Sequence, residues 1–220
     1  MGTQWLTLPG GPCTREFAGS AAYWEARYAG GGHSGVGSRG RCAEFKAEVL
    51  NALVAEAGVQ SVVEFGCGDG AQLALAEYPA YLGLDVSATA LELCRARFAG
   101  DATRRFALLA DYAGQQADLA LSLDVVYHLV EDAAFEAHLR AVFAAATRYV
   151  VIYSSDFDDH HGTPAHIRHR HFTWWVARHI GGWRLEQQVP NRYPWPEYAD
   201  GSLADFYIYA RDPDAGSWAE

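Results

Sequence analysis

The stretch VVEFGCGDGAQLALA, Val62 to Ala76, constrains the fold more than any other part of the chain. Val62, Val63 and Phe65 read as a short buried strand, Gly66, Gly68 and Gly70 as a tight turn, and Gln72 to Glu77 as the opening of a helix. Glycines are required where the backbone takes positive φ or must approach a ligand without a Cβ in the way. A strand, glycine turn and helix in that order surround a ligand's polar part with backbone N–H groups. Glu64, two residues before the first glycine, narrows the ligand further. A carboxylate there repels a phosphate and suits a cationic amino group or a ribose.

The E-F-G-C-G-D-G run resembles the first motif of the class I S-adenosylmethionine (SAM)-dependent methyltransferases, and GLDVS, Gly83 to Ser87, resembles that family's second, acidic motif. The resemblance extends over residues 21–211. It implies an α/β, Rossmann-like seven-stranded mixed sheet, six strands parallel and one antiparallel, with helices on both faces. It also implies SAM as cofactor. A nicotinamide-binding Rossmann protein is the rival reading, because Gly66-x-Gly68-x-x-Ala71 also satisfies the loose G-x-G-x-x-G/A pattern with Asp85 at a ribose-like distance. A SAM-binding protein without chemistry of its own is a second rival.

Composition limits the alternatives. A net charge of −10 argues against a general nucleic-acid binder, which needs a basic field. The sequence has no apolar run long enough to span a bilayer and no secretory leader pattern, so a cytoplasmic protein is expected, with no membrane partner. Cys13, Cys42, Cys67 and Cys94 are too scattered for a zinc site or a disulfide framework.

Taken in order, residues 1–20 read as an N-terminal arm pinned by Trp5, Leu6 and Leu8, and residues 21–220 as a single domain. Tyr23, Trp24, Arg27 and Tyr28 share one helical face before a glycine-rich segment ending at Gly40. This W-x-x-R-Y-x-x-G-G segment is similar to an N-terminal lid of several small-molecule methyltransferases. By that resemblance Arg27, Tyr23 or Tyr28 holds the SAM carboxylate; a flexible connector is the other reading. Cys42 to Ala57 is an amphipathic helix with Phe45, Val49, Leu53, Val54 and Ala57 on one face and Gly58 as its stop. Tyr81 to Leu84 is a strand ending at Asp85, and Ser87 caps a helix carrying Leu91, Cys94 and Phe98.

Further strands are expected at 104–109, 118–123, 148–153, 183–189 and 206–211, with one helix capped by Asp132 and another spanning 173–180. The first of these helices carries Phe135, Leu139, Val142, Phe143 and Ala146 on one side. The resemblance implies that Asp85 holds the ribose, that Asp111 receives the adenine amino group beside Tyr112, and that Glu64, Gly66, Cys67, Gly68, Val86 and Leu123 complete the cofactor site. Asp85 as a turn residue and Asp111 as a solvated loop residue are the plainer readings.

SLDVVYHLVED, Ser122 to Asp132, resembles the motif that follows the fourth strand in small-molecule methyltransferases, where cofactor and substrate meet. Asp124 and His128 are catalytic candidates there, with Tyr127 facing substrate or packing. His128 as a structural residue under SAM is the alternative. Five of the nine histidines fall between His160 and His171, inside SSDFDDHHGTPAHIRHRHF. This segment, 154–172, reads as a substrate lid in which Asp156, Arg168, Arg170 and His171 bind substrate and His169 joins the catalytic set. A metal site and a solvated loop are the competing readings, and no helical H-x-x-x-H spacing supports zinc. The proline- and aromatic-rich loop 190–202 either walls the substrate pocket or forms a homodimer contact. HIRHRHFTWW and P-N-R-Y-P also resemble bacterial saccharide and natural-product methyltransferases, which implies methyl transfer to an O or N atom of a sugar, aminosugar or similarly polar small molecule.

Overall fold

Valine and tyrosine runs of alternating orientation build the central sheet. In β1 (Val62–Phe65) Val62 packs on one face and Val63 and Phe65 on the other. In β5 (Ala146–Ser154) Val151 and Tyr153 face one way and Val150 and Ile152 the opposite way. A sheet apolar on both faces must be covered on both faces. The structure, a computed structural model, describes residues 17–159 and 163–212. The expected arm residues Trp5, Leu6 and Leu8, along with Cys13, His160 and His161, lie outside the described residues.

The remaining strands are β2 (Tyr81–Asp85), β3 (Arg104–Leu108), β4 (Ala117–Leu123), β6 (Trp183–Val189) and β7 (Asp205–Arg211). They form one sheet in the order β3-β2-β1-β4-β5-β7-β6. Strands β1 to β5 pair in parallel, and β7 runs antiparallel to both β5 and β6. The result is the expected six parallel strands and one reversed. Strand order reverses between β1 and β4, which opens a crevice at their carboxyl ends.

Helix α1 (Ser20–Ala29) crosses that crevice, and α2 (Gly40–Ala57) and α3 (Ala88–Arg97) pack on one face of the sheet. Helices α4 (Asp132–Ala145) and α5 (Phe172–His179) cover the other face. Ser87 caps α3 as expected, its hydroxyl accepting from the Ala90 N–H at 3.0 Å. Gly58 ends α2 at φ 61° in the left-handed region.

Three local expectations are corrected. Gln72 to Glu77 does not form an α-helix; only a 3-10 turn, Leu73–Leu75, follows the glycines, and Ala76 is already extended. Six residues before Pro79 are too few to sustain a helix. The side chain of Asn51 on α2 instead receives the Glu77 N–H and donates to the Leu75 carbonyl, both at 3.0 Å. Asp132 is the first residue of α4 rather than its cap, because its carboxylate is taken by two arginines. Ala146 begins β5 rather than ending the apolar face of α4.

Replacing Gly58 by alanine puts a Cβ into a left-handed cap and should destabilise the protein by about 1–2 kcal/mol. Urea unfolding followed by circular dichroism measures this, with an unchanged m-value expected.

Candidate active site

The glycine turn after β1 is held from below by the end of β2. The N–H groups of Gly66 and Cys67 donate to the Leu84 carbonyl at 2.7 and 3.0 Å, and the Gly68 N–H donates to Asp85 Oδ2 at 2.9 Å. Asp85 Oδ1 accepts from the Ser87 N–H at 2.9 Å. Gly66 and Gly68 have φ of 93° and 57°. A Cβ on Gly66 would collide with Val125, and one on Gly68 with Ser34, so the turn has no room for any other residue. Burial pushes the Asp85 carboxyl above the usual range, while the N–H groups of Ser87, Gly68 and Val86 pull the other way.

A cavity of about 530 Å³ opens over this turn, within the range of small-molecule sites. Its walls include Glu64, Cys67, Asp85 and Val86 from β1, β2 and their turns, and Leu109 and Tyr112 after β3. Leu123, Asp124 and His128 line it at the end of β4, and Trp24 and Tyr28 close it from α1. Glu64 is buried, with the Tyr81 hydroxyl donating to it at 2.5 Å. Desolvation raises its carboxyl to about 7, against the lowering influence of Tyr81 and Lys46. Beside it Gln72 donates to the Ala43 carbonyl at 3.1 Å, while its Oε1 is buried without a hydrogen-bond partner.

The lid is folded onto the turn. The Tyr28 hydroxyl and Ser34 Oγ are 2.9 Å apart, and Ser34 Oγ accepts from the Asp69 N–H at 3.0 Å. Arg39 pairs with Asp69 at 3.2 Å. Helix α1 is tied to α3 through Thr89, which donates to Glu25 at 2.6 Å, and to α4 through Ser20, which donates to Glu131 at 2.7 Å.

Two lid residues expected at the cofactor lie outside the cavity wall. Arg27 donates to the His33 carbonyl at 2.7 Å and so holds the lid loop, and Tyr23 stacks on His166 with centroids 4.3 Å apart. Asp111 is exposed in the 3-10 turn Leu109–Asp111 and is not part of the wall, whereas Tyr112 is.

At the end of β4, Asp124 adopts φ 58°, the only non-glycine positive φ among the described residues. Strain of this kind collects at functional sites. Its Oδ2 receives Lys46 Nζ at 2.5 Å and its Oδ1 receives the Tyr127 hydroxyl at 2.8 Å. His128 Nδ1 lies 3.0 Å from the His166 carbonyl, which can only accept. The hydrogen therefore sits on Nδ1, and Nε2 carries the free lone pair. Trp24, Tyr127 and His166 surround the ring, and desolvation lowers its pKa to about 4, so it is neutral at pH 7.

The described residues of the 154–172 segment are organised by their charges. Arg168 and Arg170 both pair with Asp132, at 2.9 and 3.0 Å, and donate to the Val130 carbonyl at 3.0 and 2.8 Å. Asp156 accepts from the N–H and hydroxyl of Thr173 at 3.0 and 2.6 Å, securing the start of α5. His171 stacks on Trp174 and lies 3.8 Å from Asp156. His169 is hydrogen-bonded to Ser155 at 2.7 Å and packs on Phe157. None of these five lines the cavity. The segment's described residues reach the site through His166, through the Arg168 N–H, which donates to the Tyr127 carbonyl at 2.8 Å, and through Arg170, which donates to the Leu129 carbonyl at 2.6 Å. Loop 190–202 does not wall the cavity either: Arg192 pairs with Glu48 and Tyr193 packs on Phe45, so it wraps α2.

Lys46 and His138 are cavity residues missed in the sequence. Lys46 lies three residues after Ala43 and four before Leu50, and His138 three after Phe135 and four before Val142. Both therefore sit on apolar helix faces, which was the available signal. His138 Nε2 is 2.8 Å from Ser122 Oγ, and burial lowers its pKa to about 4. Among the described residues no group of three or more His, Cys, Asp or Glu is arranged to hold a metal ion, and no helix is long and apolar enough to cross a membrane.

A family model described as "Methyltransferase domain" matches residues 63–149. The sheet order and the helices on both its faces are those of the class I methyltransferase fold. Solved structures with this fold include the magnesium protoporphyrin IX methyltransferase ChlM from Synechocystis PCC 6803 with bound S-adenosylhomocysteine (SAH), at 18% identity and a TM-score of 0.60, covering 77% of this chain and 83% of that one. The N-methyltransferase NodS from Bradyrhizobium japonicum WM9, in complex with SAH, superposes with a TM-score of 0.64 at 14% identity over 89% of this chain and 99% of that one. A structure describing conversion of a disulfide bond into a thioacetal group during echinomycin biosynthesis gives 0.60 at 19% identity, over 90% and 95% of the two chains. No curated protein matches this sequence significantly.

The raised Glu64 carboxyl has a definite sign in stability. Between pH 4.5 and about 7 the folded state holds a proton that the unfolded state has lost, so this group makes stability fall as pH rises through that window and become flat above it. Glu64→Gln should remove the slope, gaining about 3 kcal/mol on the wild type between pH 5 and pH 8. Urea unfolding of both proteins at the two pH values checks it.

Proposed function

We propose that this protein transfers a methyl group from SAM to an O or N atom of a small polar molecule. The observation that carries the reading is the Cβ-free turn tied to the buried Asp85 carboxylate at the floor of the cavity. Each Asp85 oxygen accepts one backbone N–H and keeps a lone pair for a ribose hydroxyl. Glu64 and the unpartnered Gln72 Oε1 provide acceptors for an ammonium group, and Tyr112 and Leu109 an apolar wall for a base. The ChlM and NodS structures, which hold SAH, have the same fold. A dinucleotide fits less well, because its pyrophosphate needs a helix N-terminus after the glycines and this chain has only a 3-10 turn there.

When bound, SAM supplies a methyl group on a cationic sulfur. The chain's task is then alignment and proton transfer. Orientation in an enclosed cavity can supply about 7–11 kcal/mol. His128, with its lone pair on Nε2 and its Nδ1 anchored, is placed to take the acceptor's proton. The size of the cavity and the charge of −10 favour a small acceptor over nucleic acid. A sugar, aminosugar or natural-product intermediate in the cytoplasm is the acceptor class that the sequence suggests.

His128→Asn can keep the contact to the His166 carbonyl but cannot take a proton. It should lower kcat by about 10²–10⁴-fold with SAH affinity unchanged. SAH release on acceptor screening, with calorimetric SAH titration of both proteins, tests this; undiminished turnover in the variant rejects His128 as the base.

A further inference from the structure

Lys46 is a charged cavity residue that the cofactor reading leaves unused. It is 1% exposed, comes from the apolar face of α2, and lines the cavity where it pairs with Asp124 at the strained end of β4. A lysine so placed must have its hydrogen-bonding needs met. One N–H is given to Asp124 Oδ2, and the ammonium lies 5.2 Å from the centre of the Tyr153 ring. Asp124 has a donor on each oxygen, Lys46 on one and the Tyr127 hydroxyl on the other. An acceptor entering this end of the cavity therefore meets a lysine with donor capacity to spare beside a carboxylate already engaged. Asp124, itself held by the Tyr127 hydroxyl, holds the ammonium in place on the cavity wall.

We infer that Lys46 recognises the methyl acceptor, and that the acceptor presents an acidic hydroxyl, such as a phenol, an enol or a carboxylic acid, whose oxygen Lys46 holds. This rests on the proposed methyltransferase reading, keeps its small natural-product-like acceptor, and sets aside the sugar, aminosugar and N-acceptor that the sequence suggests. A phenol or enol O–H gives its proton to His128 Nε2, which passes it to water, whereas a carboxylic acid arrives already ionised; in each case the oxyanion is stabilised by the Lys46 ammonium. The oxygen then forms its bond to the methyl carbon as the carbon–sulfur bond breaks, and the electron pair of that bond stays on sulfur. Anion and sulfonium become a neutral methyl ether or ester and a neutral thioether. A reaction that annihilates opposite charges gains from the largely apolar walls.

Two features support the restriction. His128, held neutral with a pKa of about 4, draws a proton far more readily from an acidic hydroxyl than from an aliphatic alcohol. An amine acceptor would acquire positive charge on methylation next to a buried ammonium, which opposes the reaction. The titratable groups around Lys46 are Cys42 on its own helix, Glu64 on β1, Asp124 and Tyr127 after β4, and Tyr153 on β5.

The test is a pH titration of 4-nitrophenol absorbance in the presence of SAH-saturated protein. SAH carries no sulfonium charge, so a shift reports on the protein. Bound 4-nitrophenol should ionise at least about one pH unit below the free compound. The shift should vanish in Lys46→Met and in the Lys46→Met/Asp124→Asn double variant, which leaves no unpaired carboxylate. Where turnover is measured against a panel of phenols, carboxylic acids, a sugar and an amine, only the first two groups should be methylated, with kcat/KM lowered at least ~30-fold by Lys46→Met. An unshifted or unbound nitrophenol, a shift retained in the folded double variant, or methylation of the amine or sugar in preference to the acids overturns the inference. Calorimetric SAH binding separates the two levels: intact SAH binding with any of those results removes the acceptor assignment alone, whereas absent SAH binding removes the methyltransferase reading and this inference with it.

Discussion

The site depends on one buried carboxylate. Asp85 stands at the end of β2 with a raised pKa, yet it receives the N–H of Gly68 from the neighbouring turn and that of Ser87 from the start of α3. An uncompensated buried charge is expensive, so the turn is held where its amides can meet Asp85. The glycines follow from that constraint: with Val125 above Gly66 and Ser34 above Gly68, a side chain at either position would lift the turn away from the carboxylate. The same geometry leaves the remaining lone pairs of Asp85 facing the cavity.

Above this floor, two segments distant in sequence meet and close the cavity. Helix α1 contributes Trp24 to the wall, and behind it Tyr23 meets His166 of the histidine-rich segment. Tyr23 stacks on His166, whose carbonyl anchors His128, and Trp24 meets the His128 ring edge-on. Arg168 and Arg170, fastened to Asp132 and the carbonyls before α4, hold the second segment in register. The basic residues that looked suited to substrate therefore organise the wall that orients His128. Their contribution to chemistry runs through position rather than contact.

Much of the fold was legible because it is written in local periodicity. The seven strands, the α2 face ending at Gly58, and Ser87 as a cap are short-range patterns of apolar spacing and turn chemistry. The glycine turn and Asp85 were legible for the same reason. What escaped depends on partners far along the chain. Asn51 replaces a helix after the turn by bonding Leu75 and Glu77, 24 and 26 residues away. Arg168 and Arg170 are explained only by Asp132, and Lys46 only by Asp124, 78 residues on. A charged residue on an apolar helix face was a visible signal at Lys46, but its meaning required knowing that the end of β4 lies beside it.

Calorimetric titration of the purified chain with SAH, SAM and NAD tests the central claim most directly, because it asks which ligand the Asp85-tethered turn was built for. The account predicts saturable binding of SAH and SAM with Kd in the micromolar range or tighter, lost in Asp85→Ala, and no heat with NAD. Binding of NAD with none of SAM or SAH would contradict it.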